Sequence, residues 1–505
     1  MATHEYTQIF ILGTIFAFCD AFGIGANDVA NSFATSVSSG TLSLKQACVV
    51  AIFTEFLGAF LLGANTAETI RGGIVKLSYF EGRPDLLMLG MMTSVAGSAA
   101  WVIFATTWGW PVSTTHSITG AVMGMGIAAF GKDAVVWGWN GVSKIISSWF
   151  LSPVIAAIVS AIIFLLTKYL VLRSENSFRR GLVAIPFYFF LAFFVNMSLI
   201  LYRSRPNTQK NNWPSRKILW VAAVVAGGVS ILSYIFYAKW LERKILKKED
   251  LKWYHIPLAP FIKYRAPPVV RSDIEKQGIR DESRPPYSTR QVSQEKGIFS
   301  RVKGFLLHGV NKDVRNLDNE NLYDMHERAE KFDDQTEYLF NFIQILSAVA
   351  ASFAHGSNDV ANAVGPYATI YQVWQKGSIP GSESPVPTWV LAFGSFGIDC
   401  GLVLYGYHIM RSLGNNITYT TASRAFCAEL GTSLTVVTAS KLSLPISTTH
   451  CITGSMAGVG LCNGDIHAVN WRMYAFCFFS WAMTLPAAGL VSGLFYSLIA
   501  FSPHQ

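Results

Sequence analysis

The chain has 505 residues, of which 51% are hydrophobic and only 14% are charged, and its formal net charge is +9. Soluble globular proteins carry about 25% charged residues, so this composition excludes an ordinary soluble protein. In a membrane protein an excess of Lys and Arg is explained by basic cytoplasmic loops, and we therefore expect no nucleic-acid partner.

Twelve hydrophobic segments are predicted to be helices in a membrane. Seven are centred near residues 15, 55, 97, 122, 158, 191 and 228, and five near residues 345, 398, 430, 455 and 485. Residues 218–238 and 473–501, for example, contain no charged side chain, and a helix of about 20 such residues spans the bilayer core. Because these segments are continuously apolar rather than alternating, they indicate an all-α polytopic membrane protein, not a barrel. No cleavable signal peptide is expected, since residues 1–10 lack a basic region.

A hydrophilic block, residues 239–334, separates the two groups of segments and contains 20 of the 40 Lys and Arg residues. Its low hydrophobicity predicts a largely disordered linker, and its basic beginning predicts a cytoplasmic location near anionic lipid. The chain therefore divides into a first membrane repeat with additional spans (1–238), the linker (239–334) and a second membrane repeat (335–505). Seven spans before the linker and five after it predict outside termini, although the basic loop 203–217 would then also lie outside. We expect the plasma membrane as the location.

Two motifs occur once in each half. Residues 25–31 read Gly-Ala-Asn-Asp-Val-Ala-Asn and match residues 356–362 at six of seven positions; residues 111–120, beginning Pro-Val-Ser-Thr-Thr-His, match residues 445–454 at eight of ten. The spacing from Asp to Ser is 85 residues in the first half and 88 in the second, so the chain contains a duplicated unit. Seven spans, an odd number, separate the copies, which predicts inverted topology and a substrate site near the midplane.

The Asn-Asp motifs are candidate cation sites. Asn and Asp are costly inside a membrane segment unless they have a function, and the spacing i, i+1, i+4 clusters their oxygen atoms at a helix start or break. These oxygens suit Na⁺, and the alternative, plain helix capping, is less favoured because the motif occurs twice. The candidate cation ligands are Asn27, Asp28, Asn31, Asn358, Asp359 and Asn362.

The Ser-Thr-Thr-His motifs are candidate anion sites. Pro followed by Ser or Thr is typical of a helix start, and the free N–H groups and positive dipole end of a helix start attract anions. Two such starts facing each other would surround a tetrahedral oxyanion, whereas a single copy would favour ordinary capping with a packing histidine. The candidate residues are Ser113, Thr114, Thr115 and His116 in the first copy and Ser447, Thr448, Thr449 and His450 in the second.

Further acids lie in apolar segments without matching Lys or Arg. Glu55 and Glu429 are not repeat mates, because the residue in the first copy that corresponds to Glu429 is Val95. Asp399 is expected to be the rough counterpart of Glu55. A site this rich in carboxylates would repel an anion unless protons or metal cations bind as well, so the sequence predicts cation-coupled anion uptake.

At these motifs the chain resembles the inorganic phosphate transporter family, the type III sodium–phosphate symporters, and its long linker resembles the family's fungal-like eukaryotic members. The resemblance implies about twelve transmembrane helices in two inverted repeats, with broken or hairpin helices at the substrate site. It implies phosphate binding by the two Ser-Thr-Thr stretches together with Asn27, Asp28, Asn358 and Asp359. It also implies that Glu55 and Glu429 take part in coupling and that His355 has an accessory role. Family members often carry an acid where Val95 stands here.

The resulting hypothesis is a sodium-coupled symporter that imports inorganic phosphate. Proton coupling and a phosphate-binding membrane sensor stay open as alternatives. A membrane phosphatase using His116 or His450 is disfavoured, because no nucleophile, phosphate loop or metal-ligand cluster accompanies these residues. We expect no cofactor; the expected partners are phosphate, co-transported Na⁺ (or H⁺) and membrane lipid, and a homodimer is left open.

Overall fold

A computed structural model describes residues 6–64, 74–139, 141–203, 213–263, 320–381, 386–441 and 446–502. Within these ranges the protein is helical, without β-strands and with two isolated β-bridges. The helices are α1 (Thr7–Asn27), α2 (Val29–Ser38), α3 (Leu44–Leu62), α4 (Pro84–Thr107), α5 (Thr114–Phe130), α6 (Val142–Thr167), α7 (Ser177–Arg203), α8 (Ser215–Leu232), α9 (Glu320–Glu327), α10 (Asp334–Lys376), α11 (Thr388–Tyr405), α12 (Tyr407–Ile417), α13 (Ala422–Lys441), α14 (Thr448–Leu461) and α15 (Trp471–Ala500).

Nine helical segments in the described part of the chain are long and apolar enough to cross a membrane. They are α1 with α2, α3, α4, α6, α7, α8, α10, α11 and α15. The helices α5, α13 and α14 account for the other three predicted segments, so each predicted centre falls on a helix. The predicted class, an all-α polytopic membrane protein, is confirmed.

Two pairs of helices form antiparallel hairpins. In the first hairpin, α4 and α5 run antiparallel, with Ser98 bonded to Ser117 near the turn. In the second, α13 and α14 run antiparallel, with Thr432 bonded to Ser455. The second limb of each hairpin begins at a serine cap, because the Ser113 and Ser447 hydroxyls accept from the backbone N–H three residues later.

The two copies are inverted. The stack of Phe10 on Trp374, 4.2 Å between ring centroids, places the end of α10 beside the start of α1. Ser39, just after α2, donates to Gln344 near the start of α10 at 3.1 Å, so α10 runs opposite to α1 and α2. We call the two ends of the bundle the terminal face, where Thr7 and the end of α15 lie, and the linker face, where α2 ends and α10 begins.

The hairpins follow the same inversion. The first runs inward from the terminal face parallel to α1, since Gly13 packs near Met92 and Asn27 bonds Thr106 further along α4. The second runs inward from the linker face parallel to α10, since Ser423 bonds Glu337 and Glu429 bonds Gln344. The hairpins therefore enter from opposite faces and meet in the middle, as predicted for inverted repeats.

Each copy packs its helices on the other copy. A Cβ atom at Gly58 of α3 would lie 2.0 Å from the Phe353 carbonyl of α10, and one at Gly401 of α11 would lie 1.9 Å from the Phe22 carbonyl of α1. Phe353 and Phe22 each stand six residues before the Asp of the repeated motif. The two contacts are therefore equivalent, and each needs glycine because backbone approaches backbone.

The hairpins cross over in the same way. A Cβ at Gly120 of α5 would meet the Leu485 carbonyl of α15 at 2.3 Å, and one at Gly454 of α14 would meet the Pro153 carbonyl of α6 at the same distance. Since α15 belongs to the second copy and α6 to the first, neither copy completes its own core. The duplicated halves fold as one intertwined bundle.

Both ends of the hydrophilic block belong to the helical body. Helix α8 continues through two π-helical turns to Leu246, eight residues past the expected boundary. At the other end, Glu330 bridges Lys168 at 2.7 Å and Arg173 at 2.7 Å on the linker face. Although its partial burial acts in the opposite direction, hydrogen bonds from Arg173 and Lys168 hold the pKa of Glu330 below its usual value. The predicted disorder of residues 264–319 lies outside the described residues.

Replacing Gly401 by Ala should destabilise the bundle, because the new methyl group overlaps the Phe22 carbonyl. Overpacking of this kind costs about 1–3 kcal/mol, so the melting temperature of the purified protein in detergent should fall. Gly227→Ala is the matched control: nothing lies within 4 Å of a Cβ there, and Ala favours helix by up to about 1 kcal/mol. Equal melting temperatures for the two variants would contradict the close packing of α11 on α1.

Candidate functional site

The centre of the site is the carboxylate of Asp28, in the break between α1 and α2. It is 2% exposed. One oxygen accepts from the Thr114 hydroxyl at 2.5 Å and the Thr114 backbone N–H at 3.3 Å, and the other accepts from the Thr449 hydroxyl at 2.9 Å. The single carboxylate thus joins the beginnings of both hairpin helices, α5 and α14. The start of α5 is therefore already capped by a negative group.

The two Asn residues at the end of the Asn-Asp motifs make equivalent bonds across the copies. Asn31 of the first copy donates to the Thr449 hydroxyl of the second at 2.7 Å. Asn362 of the second copy donates to the Thr115 hydroxyl of the first at 3.1 Å. Because Thr115 and Thr449 are repeat mates, these bonds are related by the pseudo-twofold axis. The sequence prediction that the two motifs of each kind meet at one site agrees with this geometry.

The second carboxylate, Asp359, lies on the opposite side of the axis. His355 is placed between two acids: its Nε2 is 2.7 Å from Asp359 and its Nδ1 is 2.9 Å from Glu55. Asp28, His355 and Asp359 each offer one ligand atom, and these three atoms lie within 4.8 Å of one another. Carboxylate oxygens at this spacing suit a hard cation, so the centre has the composition of a cation site.

Asn27 has a different environment from the other predicted ligands. Its amide nitrogen donates to the Thr106 hydroxyl and to the Trp110 carbonyl, both at 2.9 Å, and its oxygen accepts from the Val112 N–H at 3.0 Å. The side chain therefore holds the turn of the first hairpin. Its mate Asn358 instead donates to Asp359 at 2.8 Å. Ligand roles for both residues stay predictions.

Glu429 lies in a separate pocket between α2, α10 and α13. It accepts from the Thr35 hydroxyl at 2.7 Å, from the Ser347 hydroxyl and from the Gln344 amide at 3.5 Å. A cavity of about 50 Å³ connects this acid with the central cluster, and its lining includes Asn31, His355, Glu429 and Thr448. Thr448 thus presents the start of α14 to open space.

The histidines of the hairpin motifs lie together behind the site. The His116 and His450 rings are 4.9 Å apart, and Trp149 donates to His116 at 3.0 Å. His450 packs on Trp481 with ring centroids 3.9 Å apart. Trp149 of α6 and Trp481 of α15 occupy equivalent positions in the two copies, because each stands four residues before the residue, Pro153 or Leu485, that contacts a hairpin glycine. The imidazoles form a buried aromatic layer next to the helix starts, and their predicted accessory role is untested.

Several polar residues of the site give no signal in the sequence. Ser352 donates to Glu55 at 2.7 Å, and Thr35, Gln344 and Ser347 surround Glu429. Nothing in the sequence marks these residues, because single polar residues in a helix give no pattern until the partner helix is known. The equivalence of α3 and α11 in the repeat also corrects one expectation. Glu55 stands three residues before Gly58, and the residue three before the equivalent Gly401 is Ile398. The counterpart of Glu55 is therefore Ile398 and not Asp399.

Comparisons with known proteins point to one family. The family model described as "Phosphate transporter family" matches residues 24–492. The chain is 36% identical to the phosphate-repressible phosphate permease pho-4 of Neurospora crassa, over 100% of this chain and 99% of that protein. It is 28% identical to sodium-dependent phosphate transporter 2 of Bos taurus, over 99% of both. A solved structure titled "The sodium-dependent phosphate transporter" superposes with a TM-score of 0.70 at 30% identity, covering 98% of this chain and 100% of that one.

Thr449→Val should impair the site without changing the shape of the side chain. The variant loses the bond to Asp28 and the acceptor for Asn31, and a hydrogen bond to a charged group is worth about 1.5–3 kcal/mol. We therefore expect a fall of about tenfold or more in the rate of substrate uptake by proteoliposomes.

The matched control for this experiment is Thr438→Val. Thr438 is exposed, and its hydroxyl donates to the Leu434 carbonyl of its own helix. Uptake by this variant should stay within about twofold of the unmodified protein. If both variants transported normally, the joint between Asp28 and the second hairpin would have no role in transport.

Proposed function

The chain belongs to the phosphate transporter family, and from this premise we propose that it is a sodium-coupled symporter that imports inorganic phosphate. The family supports phosphate as the substrate. The names of similar proteins, which include sodium-dependent phosphate transporters of Bos taurus and Mus musculus, support Na⁺ as the coupling ion. Like those proteins and the Neurospora permease, it is a transporter and not an enzyme.

The observation that carries the proposal is the sign of the charges at the centre. Asp28 and Asp359 are both buried, and His355, which lines the cavity, is the only basic side chain in the described part of the chain that pairs with either of them. The nearest anion-binding donors are hydroxyls and a helix start. Phosphate can approach two carboxylates only when cations lie between them, because the unscreened repulsion in a low-dielectric interior is large. Cation binding before or with phosphate follows from this.

We propose that the helix start of α14 receives the phosphate and that the carboxylates receive the cations. Thr448 faces the cavity beside Asn31 and His355, and backbone N–H groups at a helix start bind phosphate well. The start of α5 becomes available only when Asp28 releases Thr114, which a cation bound to Asp28 would favour. The proposed phosphate residues are Asn27, Asp28, Ser113, Thr114, Thr115, Asn358, Asp359, Ser447, Thr448 and Thr449, and the proposed sodium or coupling residues are Asn27, Asp28, Asn31, Glu55, Asn358, Asp359, Asn362 and Glu429.

A sodium gradient should drive accumulation of labelled phosphate in proteoliposomes that contain the purified protein. Replacing external Na⁺ by choline at fixed pH should abolish accumulation, and undiminished uptake in choline would overturn sodium coupling. Asp28→Asn and Ser447→Ala should each reduce uptake by at least tenfold, because the first removes the central charge and the second removes the cap of α14. A protein that binds phosphate without accumulating it would instead be a sensor.

Proton coupling is the second candidate, favoured by the number of buried carboxylates. The same vesicles distinguish it: a proton gradient imposed in choline medium would then drive accumulation, and a protonophore would abolish it. Sodium coupling predicts no accumulation under these conditions.

We also propose a plasma-membrane location with the linker face in the cytoplasm. Both described ends of the chain lie at the terminal face, and the linker face carries the basic residues Lys168, Arg173 and Arg243 among others. An excess of Lys and Arg beside spans is typical of the cytoplasmic side. In intact cells an epitope placed after Gln505 should be stained without permeabilisation, and a cysteine at exposed Trp253 should be labelled only after it. The opposite pattern would reverse the orientation.

A further inference from the structure

A buried carboxylate lies outside the central site, on α1. Asp20 is 0% exposed, and neither of its oxygens has a partner at normal hydrogen-bond distance and angle; the nearby Ser98 hydroxyl is at most a weak donor to it. Within the described ranges, no Lys, Arg or His forms an ion pair with it. An ionised carboxylate in apolar surroundings is very costly unless a cation neutralises it. In this arrangement Asp20 must therefore hold either a proton or a metal cation.

The polar neighbours of Asp20 belong to the first hairpin. Ser98 of α4 lies beside the carboxylate, and its hydroxyl donates to the Ser117 hydroxyl of α5 at 3.1 Å. The Ser98 hydroxyl can rotate, so its hydrogen can be donated to Ser117 or to the Asp20 carboxylate, and its oxygen keeps lone pairs in both cases. A carboxylate oxygen beside a hydroxyl oxygen is a ligand pair for a hard cation, and it also suits a proton on the acid. Both serines are fully buried.

The surroundings contain no competing charge. Cys19, the neighbour in the chain, is the titratable group closest to Asp20 on α1. None of the ionisable side chains described on α4, α5, α10 or α11 interacts with the Asp20 carboxylate. The hydroxyl pair of the first hairpin is therefore what distinguishes this position from the apolar helix contacts around it.

The position of Asp20 relates it to the path of the ions. It stands eight residues before Asp28, about 12 Å along the helix toward the terminal face. Thr35, which bonds Glu429, stands seven residues after Asp28 toward the linker face. Buried acids thus flank the central carboxylate on both sides at similar distances. The internal repeat alone does not place acids at these two positions, because Asp20 corresponds to Ala351 and Glu429 corresponds to Val95 in the other copy.

We propose that Asp20, Ser98 and Ser117 form a binding site for a monovalent cation, Na⁺ or H⁺, on the terminal-face side of the central cluster. Ser117 lies one turn after Thr114, which donates to Asp28, so the hydroxyls connect the two acids along the first hairpin. A cation bound at Asp20 is held close to the central site before Asp28 receives it. The inference rests on the proposed cation coupling and adds a site to it.

Asp20→Asn tests the site because the amide has the size of the acid but no charge to neutralise. In detergent without phosphate, NaCl should raise the melting temperature of the unmodified protein relative to choline chloride. If the cation is Na⁺, the variant should need at least fivefold more Na⁺ for the same stabilisation and for half-maximal phosphate uptake. If the cation is H⁺, the sodium dependence should be unchanged, and the pH dependence of the melting temperature without phosphate, like that of uptake, should lose one ionisation.

Ser98→Ala should shift the same quantity in the same direction by a smaller factor. Ser94→Ala is its matched control: this serine is also buried on α4, but its hydroxyl donates to the Gly90 carbonyl of its own helix. Sodium dependence and pH profile equal to the unmodified protein in both Asp20→Asn and Ser98→Ala would overturn the site. The outcome is separate from that of the proposed function, because the thermal measurement contains no phosphate and requires no transport.

Discussion

The structure depends on one buried carboxylate that holds two helices by their ends. Asp28 accepts hydrogen bonds from Thr114 at the start of α5 and from Thr449 at the start of α14. The two hairpins enter from opposite faces of the bundle, and among the residues that the structure describes neither helix start has another charged partner. A carboxylate at two positive helix ends is stabilised by both dipoles, and any cation that binds to it competes for the same oxygens. Cation binding and the position of the hairpins are therefore physically linked.

The inverted repeat explains why such a joint is available. Each copy contributes one hairpin and one helix with the Asn-Asp motif, which is interrupted at Asp28 in the first copy and continuous through Asp359 in the second. Each hairpin packs on a helix of the other copy through glycine contacts such as Gly120 on Leu485 and Gly454 on Pro153. With backbone against backbone, these contacts leave no room for a larger side chain at the glycine positions. The site at the hairpin tips lies where the two copies meet, as in other transporters built from inverted repeats.

The copies share a backbone plan but not their ionisable groups. The pair Glu55 and His355 corresponds to Ile398 and Ile24 on the other side of the axis, and Glu429 corresponds to Val95. Asp20, which corresponds to Ala351, continues this pattern. The glycine packing positions are the same in both copies because backbone approaches backbone there, whereas the acids are not bound by this constraint and differ between the copies. A transporter opens its site to each side of the membrane in turn, and two halves with different acids can bind different ions from the two sides.

The sequence by itself determined the helical membrane class, the duplication, its inversion from an odd number of spans, and the two motifs that meet at the centre. These follow from the length of the hydrophobic segments and from the near-identity of repeated motifs, both of which can be found along the chain without knowing which helices are in contact. Only the tertiary structure decided that Asn27 holds a turn, that Ile398 rather than Asp399 corresponds to Glu55, and that Ser352, Thr35 and Ser347 serve buried acids. Asp20 stood within a predicted span without any motif. Such roles depend on which helix faces which, and a pattern read along one helix contains no information about its partner.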